Sequence, residues 1–170
     1  MDAPALIRLL GLKPLPVEGG YFVETWRSPE TMAAGALPAR YGADRSFGTA
    51  IYYLLTEQTR SLMHRVKSDE VFHFYRGDPV ELLLLHPGGR GERVVLGTDL
   101  AAGQRPQVVV PHGVWQGARL VPGGGCALLG TTVSPGFEYA DFELGQAEAL
   151  AAGWPQEAEL VRLLAPLPAS

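Results

Sequence analysis

The stretch SLMHRVKSDEVFHFYRG, Ser61 to Gly77, decides how the chain is read. It sets two apolar runs of strand length, SLMHRV and EVFHFYR, on either side of the polar turn Lys67-Ser68-Asp69. Side chains alternate across a strand, so Leu62 and His64 share one face of the first run, and Glu70, Phe72 and Phe74 share one face of the second. In a hairpin of these strands His64 and Glu70 both point inward, the pairing that a metal site or a general acid–base couple uses. His73 is out of phase with its phenylalanine neighbours and is expected on the outside.

Runs of the same kind continue on both sides: GTAIYYLLT (48–56), PVELLLLHP (79–87), ERVVLGT (92–98), QVVVP (107–111), GVWQGARLV (113–121), CALLGTTV (126–133) and FEYADFEL (137–144). Each is strand length, nearly all are separated by Gly, Pro or acidic turn residues, and no helix intervenes. This pattern predicts an all-β sandwich or barrel and not a βαβ sheet. Upstream, YFVETWR (21–27) alternates Tyr, Val, Thr and Arg on one face with Phe, Glu and Trp on the other, as a half-buried strand does. Residues 28–45 have no periodicity and form a long loop, a candidate lid. A short helix over Ala5–Leu10 is expected to end at Gly11, and two short helices to flank Gly153-Trp154-Pro155 within 146–164, followed by a frayed tail LAPLPAS.

The 170 residues suit one domain, with a core over about 6–144 and a helical cap and tail over 145–170. With 21 Gly and 14 Pro, the composition is one of short elements and many turns. The formal charge of −4 with scattered Lys and Arg provides no basic stripe for a phosphate backbone, so nucleic acid is not expected as a partner. No run reaches the ~20 apolar residues that span a bilayer, and MDAPALIRLL lacks a cationic leader. The expectation is a cytoplasmic protein with no membrane partner. The single Cys126 reads as a small buried hydrophobe, which fits a reducing compartment. His86 and His112 sit at turns and are expected to be solvated.

A second constellation is PHGVWQG (111–117): Gly113 opens a turn, and Trp115 and Gln116 then fall on opposite faces of a new strand, which lets Gln116 face the interior with His64. Strand parity therefore predicts an inward set of His64, Glu70, Phe72, Phe74, Gln116 and Ala118; Tyr21, Glu24 and Tyr52 are further candidates for the ligand-binding wall.

The spacing H-x5-E-x6-G from His64 through Glu70 to Gly77, with P-x-G-x2-Q from Pro111 to Gln116, resembles the two motifs of the cupin superfamily. The phrases EGGYFVETWRS (18–28), TAIYYLL (49–55), HRVKSDEVFHFYRGDPVEL (64–82), RPQVVVPHGVWQGARL (105–120) and PGFEYADFEL (135–144) resemble its fifth family, a branch largely without assigned function. The resemblance implies a double-stranded β-helix, a jelly-roll barrel. It also implies where a metal would sit: the family's first His position is Leu62 here, the second is His64, the acid is Glu70, and the third His is Gln116. Two of four ligands remain, so no cofactor is favoured. A divalent metal, if bound, would use His64, Glu70 and Gln116.

An interior without metal becomes a small-molecule cleft. The superfamily includes metal-free sugar-nucleotide epimerases with a His base and a Tyr acid, which implies an isomerase- or epimerase-like role for His64 and Glu70; Tyr52, Tyr75 and Tyr139 are all open as the acid. The alternatives are a metal-dependent enzyme with a non-standard third ligand, and a non-catalytic storage-like or regulatory oligomer. Family members of this kind commonly dimerise, which implies a homodimer in which EGGYFVETW pairs with a sheet edge of a second copy.

Overall fold

A computed structural model of the chain describes residues 1–166. In chain order it comprises α1 (Ala3–Leu10), β1 (Lys13–Pro14), β2 (Tyr21–Arg27), β3 (Thr31–Met32), β4 (Arg45–Ser46), β5 (Thr49–Thr56), β6 (Ser61–Val66), β7 (Asp69–Gly77), β8 (Val80–Leu85), β9 (Gly91–Leu96), β10 (Gln107–Val110), β11 (Trp115–Leu120), β12 (Cys126–Ser134), β13 (Phe142–Leu144), α2 (Ala147–Gly153) and α3 (Ala158–Leu164). One sheet runs β1-β2-β5-β12-β7-β10 and the other β13-β6-β11-β8-β9; every pairing is antiparallel. The two sheets face each other as the halves of a jelly-roll barrel, the fold the resemblance implies. No helix among the described residues is long and apolar enough to cross a membrane.

Three apolar layers hold the sheets. Between them lie Tyr53, Leu55, Phe72, Leu82, Leu84, Ala118 and Leu129. Outside the second sheet, Met63, Leu83 and Leu85 pack under α2 and α3 through Leu150, Leu160, Val161 and Leu164. Outside the first, Leu54 and Leu128 pack under α1 through Leu6. The run VELLLL is apolar without alternation because both of its faces are covered: Leu82 and Leu84 face the barrel, Leu83 and Leu85 the helices. α1 is capped by Asp2, whose carboxylate accepts from the Ala5 N–H, and it ends at Gly11 in the left-handed region.

Several expectations are corrected. β6 and β7 are not a hairpin: β6 pairs with β11 and β13, β7 with β12 and β10. The turn at Lys67-Ser68 therefore carries the chain from one sheet to the other. The strand expected over 137–144 is confined to β13, after a 3-10 helix over Tyr139–Asp141. The 28–45 loop is no lid. It lines no part of the cavity and is pinned by Tyr41, whose hydroxyl donates to Lys67 O, and by a buried bidentate ion pair of Arg45 with Asp141, with the Nε···Oδ2 distance at 2.7 Å. His86 is not solvated; it is held by Glu92 at 2.9 Å and is largely enclosed. Leu164 and Ala165 of the tail are buried, and residues 167–170 lie outside the described residues. Cys126 is half-buried against the α1 layer.

Candidate active site

Two β-bulges place the site. On β11, Gln116 pairs with His64 but Ala118 pairs with Ser61, so Leu62 and Met63 together oppose Gly117. The extra residue takes Leu62 off the inward register and puts Ser61 there with His64. The bulge also turns the Leu62 carbonyl back onto the His64 ring, 2.7 Å from Nδ1. A carbonyl oxygen only accepts, so Nδ1 carries the proton and Nε2 is the nitrogen left for chemistry. The ring is 2% exposed and stacks on Phe142 at 5.1 Å.

Glu70 is the first inward residue of β7 and is buried. The Gln116 Nε2 amide donates to Glu70 Oε2 at 2.7 Å, from one sheet to the other, while Gln116 Oε1 is buried without a partner. Burial raises the Glu70 carboxyl above its ordinary value; His64 opposes that shift and the nearby Glu18 reinforces it.

The second bulge lies in β2 between Glu24 and Trp26. It breaks the alternation expected for YFVETWR: Arg27 pairs with Thr49 and turns inward beside Glu24, while Trp26 is 48% exposed. The Arg27 guanidinium donates to Glu24, to Glu138 Oε1 at 2.8 Å and to the Phe137 carbonyl.

These groups surround a cavity of about 150 Å³ at one end of the barrel. Its apolar wall includes Phe22, Ile51, Val66, Val133 and Phe142; its polar wall includes Glu18, Glu24, Glu70, Glu138, Arg27, Thr131 and His64. Glu18 arrives on the turn between β1 and β2, where its Oε1 accepts from Ser61 Oγ at 2.8 Å and its backbone carbonyl accepts from the Leu62 N–H. That turn holds Val17 at φ 69, a left-handed conformation that costs a β-branched residue about 1–3 kcal/mol. Gly20 also has positive φ, and a Cβ there would lie 2.8 Å from the Tyr53 ring.

Of the predicted set, the cavity wall brings together His64, Glu70 and Glu24. Phe72 and Ala118 point inward as expected, but they belong to the solid apolar part of the interior, and Phe74 packs against it. Gln116 supports Glu70 without reaching the wall. Tyr21 and Tyr52 are on the outer face with α1, because Tyr53 takes the inward register of β5. Of the three candidate acids only Tyr139 lines the cavity; Tyr52 and Tyr75 contact each other edge to face, outside it. His73 is outside, bonded to Thr132. Sequence reasoning missed Glu18, Phe22, Arg27, Glu138 and Phe142. Phe22 was recoverable from its parity with Glu24, and the Gly19-Gly20 pair after Glu18 signalled a tight turn into β2.

Among the described residues no group of three or more His, Cys, Asp or Glu side chains is placed to hold a metal ion. A four-ligand cupin metal set does not fit here: Leu62 has left the inward register, and Gln116 presents its NH2, not its oxygen, to Glu70.

The model of the Cupin superfamily (DUF985) family matches residues 4–145. The uncharacterized protein YML079W of Saccharomyces cerevisiae is 31% identical over 159 residues, which is 87% of this chain and 79% of that protein. The crystal structure of protein SO0799 from Shewanella oneidensis superposes with a TM-score of 0.84 at 36% identity, covering 98% of both chains. Oxalate decarboxylase from Bacillus subtilis, at 15% identity and TM-score 0.53 over 94% of this chain and 41% of that one, shares the fold alone. The chain belongs to the cupin superfamily, in its fifth family.

Proposed function

We propose that this cupin binds a small polar metabolite in the cavity and acts on it as a metal-independent isomerase or epimerase, with His64 as the base. The observation that carries this reading is the bond from His64 Nδ1 to Leu62 O, which fixes the tautomer and leaves Nε2 of a buried ring as proton acceptor at the cavity wall. Epimerisation takes a proton from carbon on one face and returns one on the other. His64 serves the first step, and Tyr139, the candidate tyrosine at the wall, is suited to the second. Glu70, with its carboxyl raised by burial, donates a hydrogen bond when neutral and so offsets charge developing on a carbonyl oxygen.

The test is exchange of solvent deuterium into a panel of aldoses and hydroxyketones, followed by NMR. Incorporation that is lost in His64→Asn, with the fold intact by circular dichroism, supports the reading; equal incorporation by both proteins sinks it. A stoichiometric ion in tag-free protein that disappears on His64→Ala would favour the metal-dependent alternative on His64, Glu70 and Gln116. Absence of any ligand-induced change would leave the non-catalytic oligomeric role. The placement is the cytoplasm and the assembly a homodimer. Beyond the Tyr21 and Phe22 pairing with β1, the β2 edge at Val23–Arg27 is open to a second copy. Sedimentation showing only monomer at micromolar concentration refutes the dimer.

A further inference from the structure

The polar groups of the cavity are unequal in a way that selects a ligand. Its one arginine is spent: Arg27 donates to two carboxylates, Glu24 and Glu138, and to a backbone carbonyl. Deeper in the cavity, Glu18 and Glu70 form no ion pair with any Arg or Lys among the described residues. Glu18 accepts from Ser61 Oγ, and Glu70 accepts from Gln116 Nε2 and has Thr131 beside it as a second hydrogen-bond partner. His64 has committed its only N–H to Leu62 O, so in its neutral form Nε2 is an acceptor as well. Gln116 Oε1 is also buried without a donor, but it lies behind Glu70 and outside the cavity lining, so the acceptors a ligand meets are Glu18, Glu70 and His64 Nε2. Acceptors that line a cavity with no Arg or Lys of their own are costly unless a donor, preferably a cation, reaches them.

We infer that the occupant of this cavity carries a primary ammonium group, held between Glu18 and Glu70, on a short apolar body that packs against Phe22, Ile51 and Phe142. Three N–H donors on one compact cation match the acceptors available. The cavity volume of about 150 Å³ suits a body of a few carbons. A carboxylate or phosphate ligand is rejected, because it meets like charge and finds the arginine already occupied. The inference rests on this cavity as the ligand site but not on His64 as base.

The test is calorimetric titration of tag-free protein at neutral pH, in chelator-containing buffer at fixed ionic strength, with butylammonium, butan-1-ol and butyrate. These probes share a body and differ in the head group. Butylammonium is expected to bind saturably and more tightly than either of the others. Glu18→Gln, which keeps an acceptor for Ser61, is expected to weaken it on the order of tenfold or more, the loss typical of a charge-assisted hydrogen bond. Glu148→Gln, on the exposed face of α2, leaves it unchanged. Butyrate or butanol binding as tightly as butylammonium, or Glu18→Gln binding like wild type while melting normally, overturns the inference. Titration of His64→Asn separates the two readings: Glu18-dependent butylammonium binding that persists without any deuterium exchange in the wild type would sink the base and keep the ligand class. Exchange activity on neutral sugars without butylammonium binding would do the reverse.

Discussion

Along β5, β7 and β12 the inward positions change character within a single strand. In one half of the barrel they are Tyr53 and Leu55, Phe72, and Ala127 and Leu129, which pack solidly against β8 and β11. Two residues further toward the other end they become Thr49 and Ile51, Glu70, and Thr131 and Val133, and the interior is hollow. The same strands build a core and a site, and the boundary between them is one alternation wide. Parity therefore fixes which face a residue occupies, while the identity of its neighbours fixes whether that face is filled.

The comparison can be broken hardest at the rim of the hollow half. The segment 137–142, which supplies Phe137, Glu138, Tyr139 and Phe142 to the cavity, is anchored by the buried pair of Arg45 with Asp141. Removing one partner of such a pair leaves a buried charge, so Arg45→Ala is expected to cost about 3 kcal/mol in chemical denaturation and to loosen the cavity wall. In the filled half, Leu82→Ala is expected to cost about 2–4 kcal/mol, because nothing can collapse into the space. Ile51→Ala, beside an existing cavity, should cost about half as much; equal losses would mean that the hollow half is not hollow in solution.

A pH series sharpens the contrast further. Burial raises Glu70 in the folded state, so the folded chain binds more protons than the unfolded one between the ordinary carboxyl range and the raised value. The stability this provides is fully present below the ordinary carboxyl range and is lost as pH rises through the folded value. Glu70→Gln should flatten that slope and raise Tm on its alkaline side; an unchanged slope would show that Glu70 is not the group responsible. The smallest effect is expected at the turn that delivers Glu18: Val17→Gly relieves a left-handed β-branched residue but adds chain entropy, for a net gain of up to about 1 kcal/mol.

Most of the long strands were legible because period-two patterning and Gly and Pro punctuation are local properties, whereas their pairing was not. The position of His64 and Glu70 on inward faces was legible too. The rest of the site was not local. The bulges that exchange Leu62 for Ser61 and turn Arg27 inward arise from pairing with β11 and β5, and no periodicity within SLMHRV or YFVETWR encodes them. The crossing between sheets at Lys67-Ser68 resembles a hairpin turn in sequence, because the polar residues are the same in both. Depth was hidden too: Phe72 and Glu70 share a face, but one is core and the other cavity wall.

The anchor at Arg45 has a kinetic consequence. Its partner Asp141 is 96 residues away along the chain, and the β5–β12 ladder beneath it pairs Thr49 with Val133. Hairpins such as β8 with β9 close over short loops and can form early, whereas the cavity rim needs the two ends of the barrel sequence to meet. The pocket is thus expected among the last parts of the molecule to assemble, and a chain truncated before Asp141 would hold His64 without the segment that walls its cavity.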